Sequence, residues 1–254
     1  MLFHMPAPVV RNGGVIMENL KNQRILIIGG SSGMGLACAR RLASKGAHVI
    51  IASRSQASLD AALTTVPGSA SAHVVDFSSE SSLEALFTAV GRIDHLVLAA
   101  SSSAAWGPFR DVSGAVLLKA FEQKALGYWQ SIRAALPHLR KDGSVTLLSG
   151  TASRTALMHT AGLAAINGAI TQMGQTLAME LAPLRVNVVS PGLIDTPAYD
   201  HLSHEAKTAL FDGMIKDLHV GRAGTSEEVA QAMEFVITND FTTGALIDID
   251  GGSR

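Results

Sequence analysis

Apolar residues along the chain fall into two patterns that alternate almost from end to end. Short, nearly unbroken apolar runs stand at residues 25–28, 48–52, 72–75, 93–101, 143–149 and 185–192, and each stops at Gly, Ser, Asp or Pro. Runs without polar alternation predict strands buried on both faces, as in a parallel sheet rather than an antiparallel one with a wet face. Between them lie helical stretches at 36–43, 56–64 and 80–90, a long one from 113 to 139, and an alanine-rich one from 161 to 181. Strands alternating with helices predict an α/β fold, a doubly wound parallel sheet with helices on both faces, in a single domain.

Three segments stand outside this rhythm. Residues 1–20 hold Pro6, Pro8 and the pair Gly13-Gly14 without periodicity, which predicts a flexible N-terminal tail ahead of a domain at 21–254. They do not read as a signal peptide, because no positive residue precedes the apolar run and Arg11 follows it. Met17 offers an alternative start. Residues 198–220 are polar, with short helical pieces, the pattern of a lid over a substrate. The stretch at 161–181 has little polar surface, so its helix needs partners on more than one side.

Composition then narrows the function classes. The chain has 254 residues, is 47% hydrophobic and carries a formal net charge of -1. That charge attracts neither nucleic acid nor an anionic membrane surface. No apolar run reaches the roughly 20 residues of a membrane span. Cys38 is the single cysteine and has no partner for an internal disulfide. In a small-residue helix it reads as a buried thiol, in keeping with a reducing, cytoplasmic location.

The first strand ends in the stretch with most chemical content: Gly29, Gly30, Ser31, Ser32, Gly33, Met34 and Gly35, after which the chain turns helical. Glycines lack Cβ, so the backbone turns tightly, approaches a diphosphate closely and packs a helix start against a strand. N–H groups at that helix N-terminus favour an anion. The second strand ends in Ser53-Arg54, with no carboxylate until Asp60. An acidic residue about 20 positions beyond the glycines binds the ribose hydroxyls of NAD, whereas an Arg accommodates a 2′-phosphate. The sequence therefore favours NADP(H) over NAD(H).

The spacing Gly-x-x-x-Gly-x-Gly resembles the glycine motif of the short-chain dehydrogenase/reductase family, in which Thr usually stands at the position of Ile28. The resemblance runs from residue 21 to 252 and includes the last stretch, 221–252, which is similar to the family's final helix and seventh strand. It implies a Rossmann-like sheet of about seven strands and a cofactor site that continues beyond the glycines. Asp76, with Phe77 beside it, matches the residue that closes the adenine pocket. Leu98, Ala99, Ala100 and Ser101 stand where the family has Asn-Asn-Ala-Gly, so the position and its small residues persist without the asparagine side chains. Pro191, Gly192, Ile194 and Thr196 match the segment placed against the nicotinamide. The family builds dimers and tetramers from its two long helices, which implies a homodimer or homotetramer here.

The family's proton chemistry departs from this match. It uses a Tyr, a Lys one helical turn later, a Ser at the preceding strand end and an Asn on the earlier long helix. Aligned back from Glu180-Leu-Ala-Pro183 without gaps, those positions fall on Leu163, Asn167, Gly150 and Lys124. The only tyrosines, Tyr128 and Tyr199, have no Lys four residues on, so no slip of register restores the motif. The candidates for a replacement set are Lys124, pointing in from the helix beneath the nicotinamide, and Ser149, binding the substrate oxygen. Tyr128, Tyr199 and His159 are further candidates for the acid. His201 and His204 have no third ligand placed by the sequence, so no metal is expected. Two readings follow: an NADP(H)-dependent oxidoreductase acting on a small carbonyl or alcohol, or an NADP(H)-binding sensor without catalysis. A scaffold that binds no nucleotide would leave the glycine turn and the Pro191 to Thr196 match as accidents.

Overall fold

Strand β1 (Arg24–Ile28) leads through the glycine turn into helix α1 (Gly33–Ser44), followed by β2 (His48–Ser53), α2 (Gln56–Leu63), β3 (Ala70–Val74), α3 (Glu80–Val90) and β4 (Ile93–Leu98). The second half adds α4 (Gly114–Phe121), α5 (Gly127–Ala135), β5 (Leu139–Leu148), α6 (Ala161–Glu180), β6 (Arg185–Pro191) and β7 (Ile194–Asp195). It closes with α7 (His204–Ile215), β8 (Gly224–Thr225), α8 (Ser226–Thr238) and β9 (Leu246–Ile249). This computed structural model describes residues 20–100, 104–200 and 202–253. Seven strands pair in the order β3-β2-β1-β4-β5-β6-β9, all parallel, and β7 pairs with β8 apart from them.

Each central strand feeds two cores, which explains the unbroken apolar runs. Ile25, Ile27, Val49, Ile51 and Val97 pack with α1, α2 and α8 on one face. Leu26, Ile28, Ile50, Leu96 and Leu98 pack with α3, α5 and α6 on the other. A strand covered on both sides has no wet face, and full burial of each Leu or Ile contributes about 1.5–3 kcal/mol. Cys38 lies in the first of these cores, where burial pushes its thiol up to about 12. The order reverses between β1 and β4, so the crossovers leave to opposite sides and open a crevice at the carboxyl ends of those strands.

Several boundaries differ from the sequence expectations. The stretch expected as one helix from 113 to 139 is α4, a π-helical segment at Glu122–Leu126, and α5. Apolar periodicity does not register a single widened turn, and this one carries the buried Lys124 and Ala125. Leu139 belongs to β5, where it pairs with Ile93 ahead of a register shift. The polar run Arg140-Lys-Asp-Gly hid that extension. Strand β3 is an edge strand at 70–74 rather than 72–75, with Val74 exposed. The segment expected as a lid contains one twelve-residue helix, α7, with no buried residue, in place of short pieces. Leu20, assigned to the tail, is 2% exposed and sits in the core, while residues 1–19 lie outside the described residues. Among the described residues no helix is long and apolar enough to cross a membrane.

Candidate cofactor and active site

A cavity of about 600 Å³ opens at the carboxyl ends of the central strands. Its floor is the glycine turn. Gly29 has φ +87°, and a Cβ there would stand 2.5 Å from Ala100 N; a Cβ on Gly35 would collide with Gly29 O. Both glycines are therefore required for the strand, the turn and the helix to approach one another. Ser31, Ser32, Gly33 and Met34 line the cavity. Helix α1 begins there with no side-chain cap from Ser32 and no acidic residue in its first turn. Its N-terminal N–H groups and macrodipole suit an anion.

The adenosine end is set by the tips of β2 and β3. Ser53, Arg54, Asp76, Phe77 and Ser78 line the cavity. The Ser53 hydroxyl is buried without a hydrogen-bond partner, which is costly unless a ligand supplies one. Asp76 Oδ1 accepts from Ser78 Oγ at 2.5 Å and Ser78 N at 3.0 Å. Those bonds, with Arg54 nearby, hold its carboxyl below the usual range despite some desolvation. The far end is walled by Ala99, Ala100, Ala104, Gln123, Thr196, Pro197 and Ala198. The glycine cradle, the partnerless hydroxyl and the arginine fit a nicotinamide dinucleotide.

Some residues expected at the cofactor are not among those lining this cavity. Pro191 is the last residue of β6, Gly192 N donates to Ile249 O at 3.0 Å, and Ile194 is buried in β7; these shape the loop that presents Thr196. Ser101 and His201 lie outside the described residues. Sequence reasoning missed Ile28, Ser78, Ala104, Gln123, Pro197 and Ala198 as lining residues. For Ser78 the Asp76-x-Ser78 turn was a usable signal; small wall residues such as Ala104 gave none.

The proton-transfer candidates are dispersed. Lys124 is buried, and its Nζ donates to Asn167 Oδ1 at 2.7 Å and to Ser149 O at 3.3 Å. Burial lowers its pKa to about 8. The Ser149 hydroxyl, expected to face a substrate, donates to Asn167 O at 2.9 Å and meets Thr171 Oγ1 at 2.8 Å, so it is turned into α6. Tyr128 is fully buried; its hydroxyl donates to Ala100 O at 2.8 Å, and burial pushes the phenol far up, which fixes it as a strut behind β4 rather than an acid. Tyr199 packs edge-on between Trp106 and Phe211, and burial followed by Asp195 raises its phenol. His159 has φ +65°, accepts from Gly107 N through its carbonyl, and lines a separate open hollow of about 980 Å³.

Residues 29–254 match the model of the family described as enoyl-(acyl carrier protein) reductase. The chain is 32% identical over 252 residues to dehydrogenase/reductase SDR family member 4 of Homo sapiens, spanning 93% of this chain and 89% of that protein. It is also 32% identical over 240 residues to granaticin polyketide synthase putative ketoacyl reductase 2 of Streptomyces violaceoruber, spanning 90% of this chain and 95% of that one. A solved small-chain dehydrogenase in complex with NADPH aligns at TM-score 0.80 and 32% identity, covering 92% of this chain and 99% of the other.

Proposed function

The chain belongs to the short-chain dehydrogenase/reductase family and is an oxidoreductase of that type, and on that premise we propose that it uses NADP(H), in preference to NAD(H), to interconvert a small carbonyl compound and an alcohol. Bound NADP(H) supplies or takes the hydride, and the protein supplies position and electrostatics. The observation that carries the cofactor preference is the tip of β2, where the partnerless buried hydroxyl of Ser53 adjoins Arg54 in the cavity wall. A relative solved with NADPH supports the same choice.

The acid/base set proposed for this chain is not the family's usual one. Leu163, aligned with the family Tyr, has no proton to give. Lys124 is the charged group of the replacement set, held at the carboxyl end of β5. Self-association as a homodimer or homotetramer is proposed through α4, α5 and α6, whose outer faces expose Leu118, Trp129 and Met179.

Fluorescence titration tests the cofactor assignment. NADPH is expected to bind more tightly than NADH, and Arg54→Ala to weaken NADPH about 10- to 100-fold with little effect on NADH, since hydrogen bonds to charged groups are worth ~1.5–3 kcal/mol. Equal affinities in the unaltered protein would reject the preference. A screen of aldehydes, ketones and quinones for NADPH oxidation tests catalysis. A wholly negative screen with NADPH bound would replace the enzyme by a non-catalytic sensor.

A further inference from the structure

Lys124, Asn167 and Gly150 meet at the carboxyl end of β5 from three parts of the fold. Lys124 comes from the π-helical segment, Asn167 from α6, and Gly150 from the residues just after β5. The ammonium holds the Asn167 carboxamide by its oxygen at 2.7 Å. The other end of the carboxamide faces Gly150, where a Cβ would stand 2.7 Å from Asn167 Nδ2. A residue with a side chain at 150 would displace the amide. Two neighbouring hydroxyls are engaged elsewhere: that of Ser149 with α6, and that of Tyr128 with Ala100 O. The Asn167 amide nitrogen thus lies beside Gly150 at the carboxyl end of a central strand, the side of such a sheet on which ligands bind.

We propose that these residues form one polarised unit, in which Lys124 positions the Asn167 carboxamide, Gly150 keeps the space before it clear, and the Asn167 N–H donates to the oxygen of a carbonyl substrate. The inference rests on the reading of the protein as an NADP(H)-dependent reductase. In the reductive direction the carbonyl carbon accepts hydride from NADPH, leaving NADP⁺, and the C=O π pair moves to oxygen. The Asn167 N–H stabilises the charge that develops there. The alkoxide takes a proton from water, the hydroxide left behind is neutralised by solvent, and Lys124 keeps its ammonium. Asn167 is the residue that touches substrate; Lys124 acts through it.

From β5, Lys124 meets Ser149 O, and from α6, Asn167 Oδ1, while burial lowers its pKa. Its charge, and with it the polarisation of Asn167, is present below about 8 and lost above. Reductase activity is therefore expected to fall on the alkaline side of that value.

The experiment uses protein labelled with [¹³Cε]lysine and saturated with NADPH, as wild type, N167D and N167L, with the best carbonyl from the screen for kinetics. In N167D a facing carboxylate is expected to raise the Lys124 titration midpoint by about one unit or more, and loss of the N–H donor to lower kcat at least as far as in N167L. In N167L kcat is expected to fall about 10²–10³-fold, the usual cost of one oxyanion donor, while NADPH affinity stays within a few-fold and reports an intact fold. An unmoved Lys124 midpoint in N167D, or wild-type kcat in N167L, overturns the proposal. Loss of NADPH binding by the unaltered protein, or no turnover of any carbonyl, removes the underlying reading instead.

Discussion

Ser53 and His95 each bury a polar group, and they differ in what surrounds it. The Ser53 hydroxyl has no partner and stands in the cavity wall. His95 has Ser144 Oγ at 2.7 Å from Nδ1 and Gln23 Oε1 at 2.6 Å from Nε2. Burial, then Arg140 and Arg185, lowers its pKa to about 3. The unfolded chain takes that proton near 6.5, the native chain only near 3, so His95 favours the fold fully above 6.5 and progressively less as pH falls toward 3. Urea midpoints at pH 7 and pH 5 are expected to show a loss of stability that H95Q reduces by up to about 1.4 kcal/mol per pH unit. Equal slopes for the two proteins would show that His95 does not titrate this way. At this scale Arg54 was legible because its place after a strand is local. The turning of Ser149 into α6 was not, because its partner Asn167 O is 18 residues away in sequence.

Elements with local signatures were the ones the sequence placed best. The glycine turn is one, since a turn built on Cβ-less residues is defined by those residues alone. The start of α8, reached above only through the family resemblance, carries a local signature as well. Thr225 Oγ1 accepts from Glu228 N at 3.2 Å, Glu228 Oε2 accepts from Thr225 N at 2.8 Å, and Arg222 holds the same carboxylate. A Thr three residues before a Glu is readable as this capping box. Helix α8 lies on α1, to which Glu234 ties it through Arg41. Removing the cap should therefore be felt globally: Thr225→Ala is expected to cost ~1 kcal/mol, read as a lowered urea midpoint with unchanged slope. An unchanged midpoint would show that the cap is not limiting. The π-helical segment lay beyond sequence reading, because its apolar pattern differs from a straight helix by a single widened turn.

At the scale of the whole molecule, the parallel sheet places its crevice at the carboxyl ends of its central strands and leaves apolar helix faces exposed elsewhere. Leu118 is 60% exposed, Trp129 48% and Met179 83%. Covering such a surface by a second copy is the proposed outcome. Light scattering at micromolar concentration is expected to give a dimeric or tetrameric mass, reduced by joint Leu118→Asp and Trp129→Asp substitution. A monomeric mass for the unaltered chain would reject it. What the sequence by itself determined is the alternation of elements, the two-sided burial of the strands and the glycine turn, all of which follow from periodicity and from residues adjacent in the chain. The tertiary structure alone decided where the polar groups point. Lys124 and Asn167 are 43 residues apart and meet only because a widened turn and α6 bring them together at the end of β5. Side-chain direction depends on the packing of elements distant in sequence, and no local pattern carries that information.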